Sequence, residues 1–296
     1  MTPRRSCLCG AIVVLTGLTA QAESVFSAKS QLILVPVTVA DRNGMAKVDL
    51  RQEHFKVFDN AEQRPIVSFA REDAPMMLGI VLDLSGSMKS KLPHALAAIR
   101  ALADAADSVD QGFLITFADR PALQVDLTSD LAGAVNPSRF APARGGTALV
   151  DAVYQALEKA RSTRHSRKAL VVVSDGGDNA SRHSEAELVA VAREADTQIY
   201  SISLQEHTPS KEERRGYYIL EDLSKMTGGL HFLVRDRREL PAIAEKIALA
   251  VRNVYIIGYT PPQTATSGKW RSIRVVLDGA GKPGRVSAKS GYYAAE

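Results

Sequence analysis

Apolar and polar positions change their rhythm twice along the chain. From Gln31 to Ala70 they alternate: Leu32 and Leu34 fall on one face of an extended run, and Ile33, Val35, Val37 and Val39 on the other. Pro36 cannot donate to a ladder, which predicts an edge strand. Asp41-Arg42-Asn43-Gly44 predicts a turn, Phe55 and Val57 a second strand closed by Asp59-Asn60, and Ile66 to Phe69 a third. From Met77 the rhythm is that of strand and helix in turn. Met77–Leu84 is almost continuously apolar, as in a strand buried on both faces. Leu92, Leu96, Ile99, Leu102, Ala103 and Ala106 then follow a helical period.

The same alternation predicts strand Phe113–Phe117, helix Ala148–Ala160, strand Ala169–Val173, helix Glu185–Ala195 and strand Gln198–Leu204. Helix Glu212–Met226, strand His231–Val234 and helix Leu240–Val251 complete the series. After Asn253 the β rhythm returns at Val254–Tyr259, Trp270–Leu277 and Val286–Tyr293. Strands alternating with helices imply right-handed crossovers and a doubly wound, mainly parallel α/β sheet covered on both sides.

The flanking β segments, 30–72 and 254–296, are each too short to bury a core alone. Together they predict a small sandwich from both chain ends, around an α/β domain at 75–253. Leu32, Leu34, Phe55, Val57 and Phe69 would face Ile256, Trp270, Ile273, Val275 and Tyr292.

The first residues add a location. Arg4 and Arg5 precede an apolar run from Leu8 to Leu18 that exits through Ala20-Gln21-Ala22. This predicts a secretory signal peptide over residues 1–22, since the run is far short of the roughly 20 residues that span a bilayer. The expected location is secreted or periplasmic. Cys7 and Cys9 are the only cysteines, so the mature chain would carry no disulfide and no thiolate-bound metal. The formal net charge of +4 includes Arg4 and Arg5, and residues 1–22 hold no acid, which leaves +2. That is no footprint for nucleic acid.

Candidate chemistry gathers at strand ends. Met77–Leu84 runs into Asp83-Leu84-Ser85-Gly86-Ser87, a carboxylate and two hydroxyls at alternate positions of a turn. In an open parallel sheet, ligands bind beyond the carboxyl ends of the strands. Arg144-Gly145-Gly146-Thr147 puts a hydroxyl on a glycine-rich loop before a helix, where Thr147 also suits an N-cap. Ala169–Val173 ends in Ser174-Asp175-Gly176-Gly177-Asp178-Asn179, which brings Asp175 alongside if the two strands are neighbours. Oxygen donors of this kind suit a hard divalent cation and not zinc.

Asp83-x-Ser85-x-Ser87, Thr147 and Asp175, in this order and in these elements, closely resemble the metal-ion-dependent adhesion site of von Willebrand factor type A domains. The resemblance covers about Pro75 to Asn253. It implies that Ser85 and Ser87 bind the ion directly, Thr147 directly or through water, and Asp83 and Asp175 mostly through water. One coordination position is then left for the carboxylate of a protein partner. Magnesium is the expected ion, with manganese and calcium as alternatives, because few carboxylates and several waters match its octahedral demand. The flanks, at Val57-Phe58-Asp59-Asn60, Tyr255–Tyr259 and Ser290–Tyr293, resemble a group of secreted bacterial proteins related to this family.

Catalytic readings find little. There is no Gly-x-x-x-x-Gly-Lys-Ser/Thr loop, no Gly-x-Gly-x-x-Gly after the first buried strand and no His-Glu-x-x-His. Ser85 stands where an aspartyl phosphotransferase would want a second carboxylate. The six histidines are dispersed and read as surface residues, with no base placed to activate a serine. The expectation is a non-enzymatic, metal-dependent adhesion module with no membrane span. A metal-dependent hydrolase and a purely structural fold are the alternatives.

Overall fold

The computed structural model describes residues 32–71, 74–136, 140–205, 208–262, 265–279 and 284–294. The expected signal peptide, both cysteines and His207 lie outside them. Among the described residues, the N-terminal flank supplies β1 (Ile33–Ala40), β2 (Phe55–Asp59), β3 (Glu62–Arg64) and β4 (Ile66–Arg71). The alternating region follows as β5 (Met76–Asp83), α1 (Leu92–Asp104), β6 (Gln111–Phe117), β7 (Pro121–Thr128), α2 (Leu131–Ala134) and α3 (Leu149–Arg161). It continues through β8 (Arg167–Ser174), α4 (Glu185–Glu194), β9 (Gln198–Leu204), α5 (Lys211–Thr227), β10 (His231–Val234) and α6 (Leu240–Arg252). The C-terminal flank gives β11 (Tyr255–Tyr259), β12 (Trp270–Leu277), β13 (Arg285–Ala288) and β14 (Gly291–Tyr293).

The central sheet has the order β10-β9-β8-β5-β6-β7 and is parallel except for β7. Every residue of β5 is buried, and successive side chains enter opposite cores. Leu78, Ile80 and Leu82 pack towards α1 and α6, while Met77 and Val81 pack towards α3, α4 and α5. Full burial of such side chains contributes about 1.5–3 kcal/mol each, which makes this strand a rigid base for whatever follows it. The antiparallel edge β7 was not anticipated. Its signal is the alternation of Leu123, Val125 and Leu127 with Gln124 and Asp126.

Both chain ends contribute to two antiparallel sheets, β13-β1-β11-β4 and β14-β12-β2-β3. They enclose one core with Val35, Val37, Val39, Phe55, Val57, Tyr255, Ile257, Ile273 and Val275. The molecule is therefore a doubly wound α/β fold carrying a small β sandwich built from both ends.

Three expectations are corrected. The buried face of β1 is the one carrying Val35, Val37 and Val39, while Leu32 and Leu34 are exposed. Ile256 pairs with Pro36 and shares the outer face with Leu34; Trp270 packs on Tyr293 and beneath Arg193. With two apolar faces available, the face with three valines is the one buried. Second, β1 is an inner strand. It pairs with β11 over Ile33–Val37 and with β13 over Val37–Ala40, so Pro36 has a strand on one side only. Third, Val286–Tyr293 is not one strand. The backbone at Lys289-Ser290 pairs with the end of α5, through Ser290 N–H to Met226 C=O at 2.9 Å, and the chain passes from one sheet to the other.

Candidate functional site

From β5 the winding runs one way to β6 and the other way to β8. That reversal opens a crevice at the carboxyl end of β5, and three loops meet there. The first begins at Asp83, whose Oδ1 accepts the Ser85 N–H at 2.7 Å. This carboxylate brace folds the turn so that the Ser85 and Ser87 hydroxyls lie 3.1 Å apart. The second loop is tied to the first by Gly86 N–H to Gly145 C=O at 3.1 Å and Arg144 N–H to Leu84 C=O at 2.9 Å. The third is tied to the second at Thr147, whose N–H donates to Asn179 Oδ1 at 2.9 Å and whose C=O accepts from Asn179 N–H at 3.0 Å.

Asp83, Ser85, Thr147 and Asp175 are buried, and Ser87 is exposed at the mouth. All five sequence-picked residues thus stand on the loops of one crevice. Thr147 is not the cap of α3. The first N–H groups of that helix go to Asp178 Oδ2 at 2.8 Å from Val150 and to Ser181 Oγ at 3.0 Å from Asp151, which leaves the Thr147 hydroxyl outside the capping.

Sequence reasoning missed several supporting groups. Ser174 Oγ donates to Asp83 Oδ2 at 2.6 Å, so both oxygens of Asp83 are held. Asp119 Oδ1 accepts the Gly146 N–H at 2.6 Å. Lys91, only 5 % exposed, donates through Nζ to Asp175 Oδ2 at 2.9 Å. Asp178 and Asn179 were visible as a polar loop, but their partners become apparent only once β5 and β8 are known to be neighbours. Lys91 gave no signal, because a lysine before an amphipathic helix ordinarily reads as solvated.

The third loop is pressed against α5. Gly176 has φ +93°, and a Cβ there would meet the α5 backbone at Glu213 and Tyr217. The close approach is mutual, since a Cβ on Gly216 would lie 1.1 Å from the Gly176 carbonyl oxygen.

Electrostatically the site is short of positive charge. Burial, and then the neighbouring Asp175, push Asp83 up to about 6, against the hydrogen bonds from Ser174 and Ser85. Asp175 Oδ1 is buried without any hydrogen-bond partner. A buried carboxylate oxygen left bare is costly unless something occupies it. Among the described residues no three of His, Cys, Asp and Glu gather into a metal cluster. The donors here are two carboxylates and three hydroxyls, a set of hard oxygens that fits magnesium or calcium chemistry.

Residues 78–177 match the family model of the von Willebrand factor type A domain, a span that includes all five picked residues. The chain contains a von Willebrand factor type A domain. Domains of this family generally mediate protein–protein interaction. A von Willebrand factor type A protein from Catenulispora acidiphila is similar in structure, with 14% identity and a TM-score of 0.52 over 92% of this chain and 76% of that one. Proximal thread matrix protein 1 from the mussel byssus, in a form with a zinc-occupied MIDAS motif, has 18% identity and a TM-score of 0.51 over 65% of this chain and 49% of that one. An aerotolerance-related membrane protein from Bacteroides fragilis has 21% identity and a TM-score of 0.45 over 60% of this chain and 98% of that one. At these identities the likeness to the first two is one of fold alone. No curated protein sequence matches the chain. No helix among the described residues is long and apolar enough to cross a membrane.

Proposed function

We propose that this chain is a secreted or periplasmic adhesion module that binds a protein partner through a divalent cation and catalyses no reaction. The observation that carries this reading is the bare, buried Asp175 Oδ1 on the loop next to the Ser85–Ser87 hydroxyl pair. Ser85, Ser87 and Thr147 would hold the ion, with Asp83 and Asp175 completing its shell. Magnesium suits the small number of carboxylates, with manganese and calcium as alternatives. The zinc in the MIDAS motif of the mussel protein supports divalent-cation binding by this fold. When bound, the ion supplies a positive centre for an acidic side chain of the partner. Ser87, exposed at the mouth, marks where that side chain would arrive.

The core beneath the site is apolar and separate from it, so removal of the ion should abolish partner binding without unfolding the domain. Calorimetric titration of metal-stripped protein with magnesium should show one site, and an Asp83→Ala, Ser85→Ala double variant should lose it. Unchanged affinity in that variant would sink the proposal.

One observation favours a second reading, a fold with a structural role only. The Lys91 ammonium already neutralises one of the two buried carboxylates. The same titration decides between the two, because a structural site takes up no ion.

A further inference from the structure

Lys91 and Asp175 are 84 residues apart in sequence and form a nearly dry ion pair, with side chains 7% and 1% exposed. We infer that Lys91 is a built-in counter-cation: it holds Asp175 in the metal-free protein and competes with the divalent ion for that carboxylate's charge. This rests on the metal reading above.

The argument starts from what two buried carboxylates cost. Asp83 and Asp175 face one crevice, and in metal-free protein their charges repel each other with little water to screen them. A protein that must fold before it meets its ion needs a cation of its own there. Lys91 provides it from the residue preceding α1, on the same loop that carries Ser85 and Ser87. It takes only Oδ2 of Asp175 and leaves Oδ1 bare. The lysine therefore compensates charge without filling the oxygen that remains available to an ion.

The surroundings keep it there. Arg237 Nη1 donates to the Ser90 carbonyl at 2.6 Å, which fixes the backbone beside Lys91. Lys91 also lines a cleft of about 300 Å³ together with Arg235 and Arg237.

Two consequences follow for the site. Its carboxylates bring two negative charges and Lys91 returns one, so a divalent ion leaves it with a net charge of one positive. Without Lys91 the loaded site would be neutral and less attractive to a partner's carboxylate. The lysine thus weakens the hold on the ion and strengthens the pull on an acidic ligand.

The test uses magnesium alone, on the metal-stripped full chain. Lys91→Met removes the charge and keeps an unbranched side chain of similar length. Lys91→Gln also keeps a hydrogen-bond donor, should the first variant fold poorly. Removing a unit charge a few ångströms from a divalent ion changes affinity about tenfold even at the dielectric of water, so both variants should bind magnesium at least that much more tightly. Without metal, their melting temperature should fall by about 5 °C or more, because Asp175 is left buried without a counter-charge. Magnesium should then raise it by more than it does in the wild type. If wild type and variants bind magnesium with equal affinity, the counter-cation role is overturned and the metal reading stands. If none of them binds magnesium, the metal reading is overturned and this inference goes with it.

Discussion

Gly216 of α5 and Gly176 of the loop after β8 touch backbone to backbone, so closely that a Cβ on Gly216 would stand 1.1 Å from the Gly176 carbonyl oxygen. The site is therefore pressed against the helix without any side chain in between. Gly216→Ala would force the Asp175 loop and α5 apart. We expect a loss of about 1–3 kcal/mol in urea unfolding, as for overpacking elsewhere. We also expect weaker magnesium binding, since the loop that moves carries Asp175. Wild-type stability and magnesium affinity in this variant would show that the approach is looser than described.

The β sandwich has its own buried charge. Asp59, fully buried in β2, accepts from Arg271 Nε at 2.7 Å and from the Tyr259 and Tyr292 hydroxyls at 3.1 and 2.9 Å. Burial, followed by these bonds to Asp59, pushes the Tyr292 hydroxyl up to about 12. Four strands, β2, β11, β12 and β14, converge on one carboxylate. Asp59→Ala leaves Arg271 and two hydroxyls without it, which should cost about 3–5 kcal/mol in chemical unfolding. A cost under about 1 kcal/mol would mean that water substitutes for the carboxylate.

Much of this was legible because it is local. A run such as Met77–Leu84 reads as a strand buried on both faces, and Asp83, Ser85 and Ser87 share one turn by their spacing. Thr147 and Asp175 were joined to them by the resemblance to the adhesion site of von Willebrand factor type A domains, since chain order alone does not make β5 and β8 neighbours. What was not legible depends on partners distant in sequence. Lys91 finds its carboxylate 84 residues away, and Thr147 loses its capping role to Asp178 and Ser181 from a later loop. On β1 the buried face runs unbroken through Val35, Val37 and Val39, whereas the face of Leu32 and Leu34 runs on into Pro36 and Thr38, a difference the sequence expectation passed over.

His231 also departs from the sequence expectation, since it is buried and not at the surface. It stands 8 % exposed, its Nδ1 2.7 Å from Ser201 Oγ, its Nε2 without a partner and the Tyr217 ring edge-on at 4.8 Å. Burial pulls its pKa down from 6.5 to about 4; Arg285 and Lys225 add to this, and Glu221 opposes it. The folded state thus holds the ring neutral where the unfolded chain protonates it. This contribution to stability is complete above pH 6.5 and is lost as pH falls from 6.5 towards 4, at about 1.4 kcal/mol per pH unit. His231→Phe should flatten that part of the stability–pH curve, measured by urea unfolding between pH 4.5 and 7. Parallel curves for the two proteins would rule out His231 as the source.

The last prediction concerns how the chain is divided. We propose that residues 75–253 form a domain inserted into a discontinuous β domain made of 30–72 and 254–296. The pairing supports this reading strand by strand. β11 lies between β1 and β4, both from the N-terminal flank, and β12 pairs with β2 from that flank. Deprived of the N-terminal flank, the described residues of the C-terminal segment keep the three-residue register of β12 with β14 and the backbone bonds at its two ends, and lose the apolar partners Val35, Val37, Phe55 and Val57. A two-stranded remnant of that kind is marginal in water. The α/β region has the opposite standing, because its two cores draw on its own strands and helices and, apart from Ala40, on nothing outside 75–253. A fragment of residues 75–253 should therefore fold and bind magnesium, while residues 254–296 alone should give collapsed amide dispersion. Adding a peptide of residues 30–72 to the second fragment should restore dispersed resonances if the β domain is self-sufficient. Cooperative folding of 254–296 by itself would reject the discontinuous domain and leave two separate flanks.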